Sequence, residues 1–302
     1  MVPQRTLRHA IQCSGIGLHT GCRIRMRLVP AEADTGVVFV RTDLGVEIPA
    51  RPEHVVDTRL CTTLGVNEAR VATVEHLMSA LAGMGVDNVR VELDGPEVPI
   101  MDGSAAPFVF LIQSAGVREL AKPKRVLRVL RRVEVADGER RCWLEPAASF
   151  RVRFHLHYEH PLLRDQVVEV DFARQSYLRE VARARTFGFL HEIEALQKAG
   201  LARGGSLANA IVLDRYRIVN EGGLRYPDEF ARHKILDTIG DLALVGMPIL
   251  GAFVGVRTGH AMNQRLVQAL LAQPEAYRIE TLQAAPTETG DLAGEGAFSS
   301  AS

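Results

Sequence analysis

His233 and Asp237 stand four residues apart in DEFARHKILDTIGDLALVG (228–246), where Ile235, Leu236, Ile239 and Leu242 recur at helical spacing. On a helix, residues at i and i+4 share a face, so imidazole nitrogen and carboxylate oxygen could both reach one metal ion. Alone, such a pair is more often a surface hydrogen bond, a salt bridge or a cap. Asp241 extends the same face by one turn. His76, in TVEHLMSAL, is a candidate third ligand. Its neighbour Glu75 could act as a base toward water, although adjacent helical residues do not by themselves point into one cavity. His76, His233 and Asp237 together would make a two-histidine, one-carboxylate site with an open position, where zinc holds water and lowers its pKa. His260, which follows a glycine in VRTGHAMNQ, could donate a proton to a leaving amine. Asp241 could orient that histidine, or be a plain helix-surface carboxylate. Thr186 in ARTFGFL could hydrogen-bond an oxyanion, but without a partner a turn hydroxyl is the simpler reading.

Positioning these groups is the task of the surrounding elements. Short strands are expected at 23–30, 36–43 and 88–95. Between them, Val74, Leu77, Met78 and Leu81 predict a helix within 71–88, with Gly83 and Gly85 as its exit. A second helix is expected from near Ala105. The charged, proline-containing ELAKPKRV (119–126) interrupts the apolar rhythm as a boundary or hinge. New strands follow, folded back at an Asp-Gly turn, then a helix over EIEALQKAGLARG, a strand over NAIVLDRYRIVN and the helix of His233. The halves share a strand-and-helix theme without a literal repeat, which favours two α+β domains over one Rossmann sheet. Neither SGIGLHTG nor ARGGSLANA provides GxGxxG or a Walker lysine, so both read as tight turns.

A chain of 302 residues with 47% hydrophobic and 24% charged residues has an ordinary enzyme's composition. Its 36 basic and 36 acidic residues cancel, which argues against nucleic acid as a partner. Cys13, Cys22, Cys61 and Cys142 form no close pair, and no secretory signal opens the chain, so a cytoplasmic location is expected. The apolar run at 242–256 is too short to span a membrane and contains Pro248.

The combination resembles the UDP-3-O-acyl-N-acetylglucosamine deacetylase family, zinc enzymes of early lipid A synthesis. The resemblance covers roughly residues 4–282 and is carried by SGIGLHTG (14–21), DTRLCTTL (57–64), TVEHLMSALAGMGVDN (73–88) and EVPIMDGSAAPFVFLI (97–112). It continues through ARTFGFLHEIEALQKAGLARGGSLANAIVLD (184–214), NEGGLRYPDEFARHKILDTIGDLALVG (220–246) and GAFVGVRTGHAMN (251–263). It implies an α+β fold of two similar two-layer α/β sandwich domains with helices packed between the sheets. The first domain would span 1–121, the second 126–282 with an acyl-passage insert, and 283–302 would be a flexible tail.

The resemblance also assigns roles. Zinc would be held by His76, His233 and Asp237. Glu75 would be the catalytic carboxylate, His260 the histidine that protonates the leaving amine or stabilises negative charge, Thr186 the oxyanion hydroxyl and Asp241 the partner of His260. Lys234 would bind substrate, and Phe187, Phe189, Ile193, Leu201 and Leu207 would line the acyl passage, although for any one apolar residue ordinary core packing is the simpler reading. Cys61 falls near the metal region without being a ligand. The implied substrate is a UDP-linked acylated amino sugar, met by a monomer with transient access to the cytosolic membrane face. An unrelated zinc amidohydrolase and a noncatalytic sugar-nucleotide or acyl-chain binder are the alternative classes.

Overall fold

Alternation of side chains becomes sheet in the computed structural model, which describes residues 1–283. In strand Arg23–Pro30, Ile24, Met26 and Leu28 are at most 1% exposed while Arg23, Arg25 and Arg27 face solvent. That period of two is what a sheet with one buried face requires. The strand joins a five-stranded sheet in the order Ile11–Ile16, Arg23–Pro30, Val89–Leu93, Val37–Arg41, Val46–Pro49. Its single parallel pair is Val37–Arg41 with Val89–Leu93.

The second half builds the same sheet again. Its order is Val133–Asp137, Arg140–Glu145, Ala252–Val256, Arg151–Leu156, Gln166–Asp171. The parallel pair again joins the strand third in sequence to the central one, Arg151–Leu156 with Ala252–Val256. The topology is therefore duplicated although the residues are not.

Six helices complete the described residues: α1 (Glu75–Gly83), α2 (Ala106–Ala115), α3 (Tyr177–Glu180), α4 (Leu190–Lys198), α5 (Glu229–Leu242) and α6 (His260–Leu271). α1 and α2 flank the central strand of the first sheet in sequence, as α5 and α6 flank that of the second. Each copy carries an insertion before its first flanking helix. In the first it is a small sheet of Val55–Asp57, Thr63–Val66 and Ala69–Val71. In the second it holds α3, the parallel pair Phe187–Phe189 with Ile211–Leu213, and α4.

α1 and α5 pack on each other as the centre of the molecule. Seven consecutive residues of α1, Glu75 to Leu81, are buried, as are twelve of the fourteen in α5. A helix with one face on solvent could not be buried all round, so these two form the layer between the sheets. The expected α+β architecture is thus found.

Local expectations differ in places. α1 starts only at Glu75, because Ala69–Val71 is a strand and Thr73 turns the chain at φ 57°. The segment expected as a boundary at 119–126 is mostly strand: Val117–Pro123 pairs with Pro3–Leu7, and Arg125–Val129 pairs with Tyr277–Thr281. Glu119 and Lys122 lie at exposed positions of Val117–Pro123, where a strand with a solvent face accommodates their charge. The apolar run at 242–256 divides into a helix end, a 3₁₀ turn at Ala243–Val245 and the strands Ile249–Leu250 and Ala252–Val256. Among the described residues no helix is long and apolar enough to cross a membrane. The tail expected at 283–302 lies, beyond its first residue, outside the described residues.

Candidate metal centre

The site forms where the first turn of α1 meets the middle of α5, and Gly240 makes that approach close. A Cβ there would stand 2.0 Å from the Glu75 carbonyl oxygen, so any larger residue would push the helices apart. With the helices in contact, His76 of α1 and His233 and Asp237 of α5 place ligand atoms within 4.8 Å of one another, all three buried. His76 Nε2 lies 3.5 Å and His233 Nε2 3.3 Å from Asp237 Oδ1. The two imidazoles meet nearly edge to face, with centroids 5.0 Å apart.

Hydrogen bonds prepare this cluster to bind a cation. His233 Nδ1 lies 3.0 Å from the Ala184 carbonyl oxygen, which only accepts, so the proton sits on Nδ1 and the Nε2 lone pair faces Asp237. Burial lowers the His233 pKa to about 3, which keeps the ring neutral as a ligand must be. Asp237 Oδ2 accepts from Lys234 Nζ at 2.9 Å, whereas its Oδ1 is buried with no hydrogen-bond partner among the described residues. Burial opposes ionisation of Asp237, but the Lys234 ammonium on its other oxygen outweighs it and holds the carboxyl well below its usual range. Buried oxygen of this kind is costly unless something pairs with it. Two imidazoles and an ionised carboxylate with an orphan oxygen form a donor set that fits a divalent ion such as zinc.

Facing the cluster is a second pair. Glu75 Oε2 accepts from the Thr62 N–H at 3.1 Å, and Oε1 lies 3.7 Å from His260 Nε2. His260 Nδ1 lies 2.9 Å from Asp241 Oδ2, which also accepts from Asn263 Nδ2 at 2.9 Å, while Asp241 Oδ1 accepts from Thr62 Oγ1 at 2.6 Å. Burial pushes the Glu75 pKa up despite His260 and His76. For His260 burial works against the charged form, but Asp241 and then Glu75 override it, and its pKa is raised to about 10. A carboxylate that readily takes a proton thus faces a histidine that holds one.

Of the other expected residues, Thr186 lies in the segment that wraps His233, between Ala184 and Phe187, whose ring centroid is 6.3 Å from that of His233. Lys234 Nζ stands 5.6 Å from the Phe187 centroid. Phe189 packs near Tyr158 and His160. Ile193 on α4 and Leu201 beyond it are half-buried, and Leu207 is 51% exposed, so these three are not drawn into a core. An apolar cavity of about 340 Å³ lies elsewhere, at the C-terminal ends of α1 and α5 among Met78, Leu81, Ile239 and Leu242. Cys61 is buried, its thiol pushed up to about 12 by burial and then by Glu75. Sequence reasoning did not single out Thr62 or Asn263, which hold Glu75 and Asp241. Their signal was their place inside DTRLCTTL and GHAMN, but a threonine or asparagine has too many uses for type alone to mark it.

Fold and site together define a class: duplicated α+β proteins that set a His–His–Asp donor cluster against a carboxylate–histidine pair where two central helices meet. Within that class, the chain belongs to the family described as UDP-3-O-acyl N-acetylglycosamine deacetylase, whose pattern its residues 4–272 match. It is 58% identical to the UDP-3-O-acyl-N-acetylglucosamine deacetylase of Anaeromyxobacter dehalogenans (strain 2CP-C) over 276 residues, covering 91% of this chain and 90% of that protein. Identity to the protein of the same name from Acidithiobacillus ferrooxidans (strain ATCC 53993 / BNL-5-31) is 57%, covering 92% and 93%. For that from Thioalkalivibrio sulfidiphilus (strain HL-EbGR7) it is 54%, covering 94% of each.

Proposed function

We propose that the protein is a zinc-dependent deacetylase that hydrolyses the N-acetyl group of UDP-3-O-(3-hydroxyacyl)-N-acetylglucosamine in lipid A biosynthesis, releasing acetate and the free amine. The observation that carries this reading is the buried, unpaired Oδ1 of Asp237 between two imidazole nitrogens, with Glu75 next to His76 on α1 and 3.7 Å from His260. His76, His233 and Asp237 would hold Zn²⁺, which when bound supplies Lewis-acid chemistry by lowering the pKa of water and polarising a carbonyl.

The chain's own residues do the rest. Glu75 accepts the proton of the water that attacks the acetyl carbonyl carbon. Thr186 donates a hydrogen bond to the oxyanion that forms there. As the C–N bond breaks, His260 delivers its Nε2 proton to the departing nitrogen, and Asp241 keeps the ring oriented and charged through Nδ1. Lys234 and the Phe187–Leu207 insert receive the substrate, with Phe187, Phe189, Ile193, Leu201 and Leu207 along the acyl chain. In this reading the first domain spans 1–121 and the second 126–282, and the protein works in the cytoplasm as a monomer that meets its acylated substrate at the membrane face.

The direct test is acetate release from UDP-3-O-(3-hydroxyacyl)-N-acetylglucosamine by metal-depleted and zinc-restored protein. Turnover that returns with zinc and yields the free amine supports the proposal. Folded, zinc-loaded protein that is inert across several acyl lengths refutes it.

Two further outcomes follow from the same residues. The plot of kcat/KM against pH should have an acid limb above the ordinary carboxylate range, set by Glu75, and an alkaline limb near 10, set by His260. Asp241→Asn removes the strongest charge that raises His260, so the alkaline limb should move down by about 1–3 pH units. A limb that stays in place would remove His260 from the role of acid. In the insert, Phe187→Ala should change the preferred acyl length by altering KM between chain lengths. Equal losses for all lengths, with a lowered melting temperature, would mean that Phe187 only packs.

A further inference from the structure

Thr186 is fixed from the opposite half of the molecule. Its N–H donates to the Gly103 carbonyl at 2.8 Å, and its own carbonyl accepts from the Ile211 N–H at 2.8 Å. Gly103 belongs to the turn MDGS of the first half and sits at φ 81°, where a Cβ would lie 2.1 Å from the Asn209 carbonyl oxygen. Only glycine permits both that backbone conformation and that approach. Beside it, Asp102 Oδ2 pairs with Arg225 Nη1 at 2.8 Å, and the same guanidinium nitrogen donates to the Arg183 carbonyl at 3.0 Å. The Arg225 N–H meets Glu229 Oε2, and Glu229 Oε1 accepts from the Arg185 N–H at 3.0 Å and from Arg185 Nε at 2.8 Å. Glu229 is fully buried at the first turn of α5, the helix of His233 and Asp237.

The Arg183–Phe187 segment is thus tied on one side to α5 through Glu229 and on the other to the first half through Asp102 and Gly103. We infer that the Asp102–Arg225 pair and the Gly103 carbonyl form a clamp across the two halves that positions Thr186 for oxyanion stabilisation. Asp102, Gly103 and Arg225 are positioning residues that act through Thr186. The inference rests on the deacetylase reading for the role of the Thr186 hydroxyl. Its physical basis is that donors aimed at developing charge must be held to a fraction of an ångström, and a backbone held by four hydrogen bonds, one of them from the first half, has little freedom to drift.

The test is a double-mutant cycle of Asp102→Asn and Thr186→Val, with amide hydrogen exchange at Thr186 read in parallel on the metal-free protein. Asp102→Asn should lower kcat about tenfold or more at nearly unchanged KM and metal content, and should speed exchange of the Thr186 amide. In the Thr186→Val background the same substitution should have little further effect on kcat, because the donor it positions is gone. Arg225→Lys should repeat both results more weakly, and it replaces Asp102→Asn if that variant does not fold. The clamp is overturned if the losses multiply in the double variant, or if Thr186 exchange accelerates with kcat unchanged. Wild-type protein that releases no acetate would refute the deacetylase reading instead, while the exchange experiment would still report on the clamp.

Discussion

Glu75→Gln is expected to lower kcat/KM by about 10²–10⁴-fold while zinc remains bound at one per chain. The amide keeps the shape of the side chain and an oxygen for the Thr62 N–H, and removes only the ability to take a proton. Metal should stay because the three converging ligand atoms belong to His76, His233 and Asp237. Stability has a predictable sign as well. A carboxyl whose folded pKa is raised binds its proton more tightly folded than unfolded, so its ionised form costs the fold stability above the unfolded pKa. Glu75→Gln should therefore hold or raise the melting temperature at neutral pH. Kinetics, metal analysis and thermal unfolding of one preparation check all three outcomes, and normal turnover in folded protein would exclude Glu75 as the base.

His233→Ala is expected to fail in the opposite way, losing the metal first and activity as a consequence. The ligand set falls from three to two, and the several kcal/mol of charge stabilisation a metal supplies go with it, a rate loss on the order of 10³-fold or more. Truncation also leaves the Ala184 carbonyl without its donor and opens a void against Phe187, so a stability loss of about 1–3 kcal/mol should accompany it. Metal content after dialysis separates the two causes. Retention of one zinc per chain would remove His233 from the ligand set, whatever happened to turnover. Together the two variants distinguish loss of the base from loss of the metal.

Much of this was legible before any coordinates. The helical spacing of Ile235, Leu236, Ile239 and Leu242 placed His233, Asp237 and Asp241 on one helix, and strand Arg23–Pro30 follows its alternation from Arg23 through Leu28. The resemblance carried by seven ordered segments supplied the family and candidate roles for residues far apart in the chain. Less was legible where one local signal serves two outcomes. Charges at 119–126 suit a hinge or an edge strand, and the residues 69–74 before α1 gave no sign of the turn at Thr73 that delays the helix. The apolar residues of 187–212 divided between core and surface in a way composition could not foresee: Ile211 is fully buried while Leu207 is 51% exposed.

By itself the sequence determined the elements, because periodicity and turn chemistry act over a few residues, and it determined which side chains were available for chemistry. Convergence belonged to the tertiary structure alone. His76 and His233 are brought together only because the duplicated topology presses α1 onto α5, and the contact is close only because Gly240 admits the Glu75 carbonyl. The electrostatic properties of the cluster also arise there. The neutral His233, the orphan oxygen of Asp237, the proton held by His260 and the hydroxyl bond from Thr62 to Asp241 all depend on burial and on partners from other parts of the chain. Desolvation and Coulomb interaction depend on distance in space, and a chain's order does not state that distance.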